Sequence, residues 1–358
     1  MFNRRFIGNE TVGLSVVLAL IVSVSLFAQK KDDKKQSDEQ KKETQALVKM
    51  IDDVAAGQPA PNDLGASWVH EDYLKAQGNK EYAPFAVTVD PTKATGGTLT
   101  FYWRVVSKNG AAPPPAADEG KDKKKDDKKN QPAKRPEFAY EDVSYVPTAG
   151  QTAPMRIQRS FTVPAGSYDV YVGVKEPTSQ AKNAPPAKAS VIKQTVTVPD
   201  FWTSELTTSS VIIAQRIDPL PAPLTPQQQI ERPYALGGIE IVPVNDLKMS
   251  KKVELQTFMI VYNPKMDSMN KPDVLVEYNF YAKAAGSEKF FNKTTPQSLN
   301  AQTLPPQFDV QAGHQLQAGQ GVPLASFPEG DYRLEIKVTD KIANKSITRD
   351  VNFSVSGS

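Results

Sequence analysis

An apolar run from Val12 to Ala28 stands between Arg4, Arg5 and Glu10 on one side and QKKDDKK on the other. It is shorter than the roughly 20 residues of an α-helical membrane span and suits a signal-peptide core. Residues 1–28 therefore read as a signal peptide, with an uncleaved N-terminal anchor as the alternative. After a charged stretch, Leu47, Val48, Ile51 and Val54 recur at helical spacing until Gly57, Pro59 and Pro61 break the pattern. One short amphipathic helix is expected, either packed on the first β-domain or standing before that domain as a stalk. Residues 67–75 (SWVHEDYLK) read as a short helix-like linker.

From residue 84 the period changes to two. Runs rich in Val, Thr and aromatic residues predict strands over 84–90, 97–106, 138–146, 155–163, 167–175 and 190–198. A second series covers 239–244, 253–262, 274–284, 331–339 and 346–355. In 253–262 the alternation passes into an unbroken apolar stretch, the pattern of a strand buried on both faces. Two segments interrupt the series. Residues 111–136 contain almost no large apolar side chain and predict a flexible insertion. Residues 218–233 carry five prolines, which lack an N–H and fix φ, and predict a stiff connector or edge segment.

One motif occurs twice. Phe161-Thr-Val-Pro164-Ala-Gly166-Ser-Tyr168 leads into Val170, Val172 and Val174; Phe327-Pro328-Glu-Gly330-Asp-Tyr332 leads into Leu334, Ile336 and Val338. Pro-x-Gly is a turn in which Gly is free to take positive φ, and the Tyr then enters a strand with one apolar face. The Tyr is placed like the tyrosine corner of immunoglobulin-like sandwiches, whose hydroxyl caps backbone at a strand corner. The chain thus resembles secreted bacterial immunoglobulin-like or fibronectin-III-like tandem proteins. The resemblance implies an all-β fold: two tandem immunoglobulin-like β-sandwich domains with a short N-terminal helix and a signal peptide. The domain plan is 1–28 signal peptide, 29–80 charged flexible segment with the helix, 81–204 first sandwich and 205–358 second sandwich. The segments 217–238, 276–297, 303–316 and 322–341 also resemble the C-terminal region of secreted von Willebrand factor A-like or GWxTD-type bacterial proteins. Neither a DxSxS nor a GWxTD string is present, so the chemistry of those leading domains does not carry over.

Composition narrows the function. The chain has no cysteine and two histidines, which removes disulfide frameworks, thiolate metal sites and thiol nucleophiles. The Lys-rich tracts 30–42 and 121–129 interleave Asp with Lys and hold no aromatic residue, so they read as solvated spacers and not as nucleic-acid contacts. Phosphate-loop, dinucleotide, zincin and nucleophile-elbow motifs are absent. His70 lies beside Trp68, Glu71 and Asp72, and His314 lies in a Gln/Gly-rich loop; both read as structural, since a shared site would need a cleft between the halves. Asn263, Asp267, Asn270 and Asp273 carry calcium-type oxygens but lack EF-hand spacing, and read as a hairpin loop.

No catalytic residue, metal site or cofactor is expected. The residues singled out are the turn motif (Pro164, Gly166, Tyr168, Pro328, Gly330 and Tyr332) and Phe201 and Trp202 as ligand or interdomain contacts. Phe101 and Trp103 share one strand face, read as core, with Tyr102 on the other. The leading expectation is a non-catalytic exported protein, periplasmic or extracellular, that binds another envelope or secreted protein through its sandwiches. It would touch a membrane only through an uncleaved N-terminal segment. The alternatives are a carbohydrate-binding or surface-adhesion module, with Phe201, Trp202, Phe290 and Phe291 as its aromatics; an enzyme accessory domain; and a chaperone that pairs edge strands.

Overall fold

A computed structural model describes residues 37–108, 138–284 and 286–357. The signal-peptide reading of 1–28 and the insertion 111–136 lie outside the described residues. The protein is mostly β. Its N-terminal part holds helix α1 (Asp38–Ala55) and strands β1 (Ser67–Glu71), β2 (Leu74–Ala76), β3 (Lys80–Val89), β4 (Thr98–Ser107), β5 (Tyr140–Pro147), β6 (Met155–Val163), β7 (Gly166–Lys175) and β8 (Ala189–Val198). The C-terminal part holds β9 (Thr207–Thr208), β10 (Ile212–Pro219), α2 (Pro226–Glu231), β11 (Ala235–Leu236), β12 (Ile239–Pro243), β13 (Lys248–Ser250), β14 (Glu254–Tyr262) and β15 (Val274–Ala284). It continues through β16 (Ser287–Lys293), β17 (Gln297–Leu299), β18 (Leu316–Ala318), β19 (Gly321–Pro323), β20 (Gly330–Asp340) and β21 (Lys345–Ser356).

Each part is a pair of sheets closed over one core. In the first pair, β3 joins β1, β2 and β6, and faces the sheet β5-β4-β7-β8. Phe85, Val87, Ile157 and Phe161 from one sheet meet Phe101, Trp103, Val170 and Val172 from the other. In the second pair, β11-β12-β10-β14-β18 faces β13-β21-β20-β15-β16. Leu255, Met259 and Val261 there pack on Val276, Tyr278, Phe280, Leu334 and Ile336. A fully buried side chain of this size is worth roughly 1.5–3 kcal/mol, so the two cores are the main stabilising term.

Two strands, β4 and β7, are buried on both faces because α1 lies across their outer side. Ser37 caps the helix, with Gln40 completing the capping box. Leu47, Val48 and Ile51 then pack on Tyr102, Tyr171 and Val191. Of the two placements the sequence left open for this helix, packing is the one adopted. Gly173 makes the close approach possible, since a Cβ there would stand 2.9 Å from Leu47 Cδ2. Polar anchors pin both ends of the contact. Buried Arg104 donates to Asp52 at 2.5 Å, and Lys175 pairs with Glu43.

Two local readings change. Residues 67–75 are not helix-like: they form β1 and most of β2, because Trp68 stacks on Phe85 at 4.9 Å and Leu74 is buried at the contact between the two parts. Their polar residues hide the period-two pattern, because they face that same contact. Within 218–233, Asp218 and Pro219 end β10, paired to β12 alone. Residues 226–231 then form the short α2, capped reciprocally by Thr225 and Gln228. The Thr225-Pro226-x-Gln228 spacing carried that signal.

Candidate functional site

The densest meeting of polar and titratable side chains lies where the two sheet pairs join. Its floor is apolar. The outer face of β10, β12 and β14 presents Ile212, Ala214, Ile241, Phe258, Ile260 and Tyr262 to Leu74, Tyr73 and Tyr82, with Phe201 and Tyr234 filling the gap. This is why β14 is apolar on both sides. Backbone joins the halves as well: Tyr73 N donates to Ser210 Oγ at 2.9 Å, Ser210 N to Tyr73 O at 3.0 Å, and Tyr82 Oη to Pro233 O at 2.8 Å.

At one end of this floor a polar chain crosses the junction. Arg156 Nη2 donates to His70 Nδ1 at 2.7 Å. His70 Nε2 lies 2.9 Å from Tyr234 Oη, and Tyr234 Oη donates to Asp72 Oδ2 at 2.7 Å. The consistent proton assignment places the imidazole hydrogen on Nε2. Arg156 Nη1 also holds Val244 O at 2.9 Å and Asn245 Oδ1 at 3.1 Å on the far side. Burial lowers the Arg156 guanidinium, and burial with the neighbouring Asp72 carboxylate pushes the Tyr234 phenol far up. Apart from the buried Arg156 Nε, which has no partner, these groups direct their hydrogen bonds to one another, to Val244 O and to Asn245 Oδ1. They fasten the halves to each other across the junction.

At the other end, Glu81 of β3 is fully buried. Its Oε1 accepts from Phe201 N at 3.0 Å, and its Oε2 has no partner. Burial pushes this carboxyl up to about 7, against the pull of the Phe201 N–H. Lys75, directly opposite Glu81 in the β2–β3 pair, lies 4.3 Å over the Trp202 ring and 3.4 Å from Asn263 Oδ1. Burial lowers its amine, opposed by Glu81 and Asp200. Asn263 Nδ2 donates to Phe201 O at 3.2 Å and to Glu205 O at 3.1 Å. Beside this group an open polar cleft of about 490 Å³ is lined by Thr203, Glu205, Asn263, Lys265, Asp340 and Lys345, among others.

The residues singled out from sequence fall in three places. Phe201 is 3% exposed in the junction, while Trp202 is 41% exposed with Nε1 donating to Lys80 O at 3.1 Å. Tyr168 Oη donates to Pro164 O at 2.9 Å and Tyr332 Oη to Pro328 O at 2.8 Å; Gly166 and Gly330 take φ of +153° and +145°. Both tyrosines lie in the cores, away from the junction. His314 is in a C-terminal loop, its Nδ1 accepting from Asp309 N at 3.0 Å, and is not brought to His70. Asp267 Oδ1 accepts from Met269 N and Lys271 N within its own turn, Asn270 Nδ2 donates to Asp309 Oδ1, and Asn263 Oδ1 accepts from Lys75, so the four side chains do not converge on one point. Among the described residues no group of three or more His, Asp or Glu is placed to hold a metal. Phe290 is 58% exposed on β16, whereas Phe291 packs inward on Phe327 and Tyr332. Sequence reasoning missed Arg156, Tyr234, Glu81 and Lys75. Tyr234 is 164 residues from His70, and only pairing of the halves joins them.

No known family model matches the chain, and no curated protein does. Among solved structures it is similar to Escherichia coli alpha-2-macroglobulin activated by porcine elastase, at 10% identity and a TM-score of 0.22, over 78% of this chain and 24% of that one. It is also similar to Salmonella alpha-2-macroglobulin reacted with methylamine, at 9% identity and a TM-score of 0.21, over 84% of this chain and 17% of that one. The chain thus spans a quarter or less of these proteins, and overlaps of this size carry no argument about function. What stands is the class: a mostly β protein of two packed sheet pairs. Among the described residues no helix is long and apolar enough to cross a membrane.

Proposed function

We propose that the chain is a non-catalytic exported protein, periplasmic or extracellular, whose two immunoglobulin-like sandwiches act as one rigid module that binds another envelope or secreted protein. The observation that carries this reading is the fate of the junction side chains. Arg156, His70, Tyr234 and Asp72 are the best candidates for acid–base work, and they are consumed in joining the halves. A general base needs a free acceptor facing a substrate-sized space. The reading of 1–28 as a signal peptide and the secreted-protein resemblance of the second half are the grounds for the location.

The test is capture by the immobilised mature chain from an envelope extract, compared with variants at exposed apolar positions of the second half (Met269→Ser and Phe290→Ser). A protein retained by the wild type and lost with either variant supports the reading. Turnover of any envelope polymer that disappears in His70→Ala would overturn it.

A second reading rests on one feature. Phe290, on edge strand β16, meets Tyr281 edge-on at 5.9 Å, and Arg333 lies 4.4 Å over Tyr281 within a cluster of Glu288, Glu335 and Asp350. Aromatic rings among acidic and amide groups suit a polysaccharide. Retention on insoluble glycan, lost in Phe290→Ser, would favour this reading over a protein partner.

A further inference from the structure

We propose that Glu81 is a pH-sensitive switch of the junction: when its carboxyl loses its proton, the Lys75 amine leaves Trp202 and Asn263 and pairs with it. Three observations place the switch here. Glu81 is fully buried; its Oε1 accepts from Phe201 N at 3.0 Å, and its Oε2 meets no donor. A buried carboxylate oxygen without a donor is costly, so this geometry holds a proton on Oε2. Lys75 is directly opposite Glu81 in the antiparallel β2–β3 pair, so the two side chains leave the same face with Cβ atoms about 5 Å apart. A lysine stem spans that gap, yet the amine lies 4.3 Å over the Trp202 ring and 3.4 Å from Asn263 Oδ1. Both ends of its travel bear on one linker residue, since Glu81 holds the N–H of Phe201 and Asn263 holds its C=O.

The groups facing Glu81 set the sign of the change. β2 supplies Lys75, the 199–206 linker supplies Asp200, β14 supplies Tyr262, and β6 places Val163 opposite it. Tyr262 is kept neutral, because burial pushes its phenol far up. Asp200 opposes ionisation of Glu81, and Lys75 favours it. Ionised Glu81 in turn favours the ammonium form of Lys75. On the acid side the carboxyl is neutral and the amine rests on the ring and the amide, as the structure shows. On the alkaline side carboxylate and ammonium pair, and Trp202 and Asn263 Oδ1 lose their cation. Asn263 lines the polar cleft together with Lys265 and Lys345. Positive charge therefore leaves the cleft wall and the Trp202 face for the interior of the junction, with no change of fold. The switch is independent of which partner the module binds.

Tryptophan emission of the purified full chain, followed from pH 5 to pH 9, tests the switch, because an ammonium against an indole face perturbs that ring. The wild type should show one reversible step centred at about 7. Trp202→Phe should remove the step, which assigns it to that ring and not to Trp68 or Trp103 in the first core. Glu81→Gln copies the neutral carboxyl and keeps an acceptor for Phe201 N, and should also remove it. Lys75→Met keeps an apolar stem over the ring without the charge, and should remove it as well. A step that persists in any of the three variants, or a flat wild-type profile, overturns the switch. A second readout needs no variant. Across the same interval, acetylation of Lys75 relative to exposed Lys49 should fall about tenfold, since a carboxylate partner raises the amine by a unit or more. An unchanged ratio overturns the pairing.

Discussion

Glu81 and the two corner tyrosines set the residue-scale expectations. The folded chain holds the Glu81 proton more tightly than the unfolded chain, with the carboxyl raised from an ordinary 4.5 to about 7. Stability therefore falls as pH rises through that interval and stays lower above it, by no more than about 3 kcal/mol. Glu81→Gln should flatten this slope. Urea unfolding at pH 5 and pH 8 measures it, and an unchanged slope would remove Glu81 as the cause. The tyrosines differ in their surroundings. Pro164 is half-buried while Pro328 is exposed, so water replaces the lost hydroxyl more easily at Pro328. Tyr168→Phe should cost about 1 kcal/mol and Tyr332→Phe about half that. Equal losses in chemical denaturation would show that exposure of the capped carbonyl does not matter.

At the scale of elements, most long strands were legible because each buries at least one face. Predicted 155–163 and 274–284 coincide with β6 and β15, and 167–175 falls one residue short of β7. What stayed hidden are elements whose burial comes from a distant partner. β1 and the short link to β2 carry His70, Asp72 and Tyr73 to the junction while Trp68 turns to Phe85 in the first core, so the alternation is polar against aromatic and not polar against aliphatic. The repeated turn motif was readable residue by residue, whereas the junction was not. Its groups come from β1, β2, β3, β6, β14 and the 199–206 linker, and no local spacing announces them. Helix α1 offers a direct check on close packing. Gly173→Ala would place a methyl 2.9 Å from Leu47 Cδ2 and 3.0 Å from Ile51 Cδ1. It should destabilise the helix contact by about 1–3 kcal/mol. Limited proteolysis should then cut within 38–57 before either core opens, and unchanged resistance there would contradict the observed approach.

For the whole molecule, the apolar floor between the sheet pairs makes one cooperative unit of two cores. The wild type should unfold in a single calorimetric transition. Ile260→Asp buries an unpaired charge in that floor while leaving both cores intact, at a cost of several kcal/mol. It should split the transition into two. A single transition in that variant would show that the cores communicate by another route. A module of this kind presents its exposed loops at a fixed angle, and for that reason a binding role for the chain would depend on the junction as much as on any contact residue.

Helix α1 also carries a lesson about the order of assembly. It precedes in the chain the surface it covers, which is built from β4, β7 and β8, the last of which ends at Val198. During vectorial emergence of the chain, well over a hundred residues must be added before that surface exists. Over that interval Leu47, Val48 and Ile51 have nothing of their own chain to bury against. An element made before its partners is thus seated only after them. An escorting factor that shields the nascent chain would find its longest-lived apolar target in this segment.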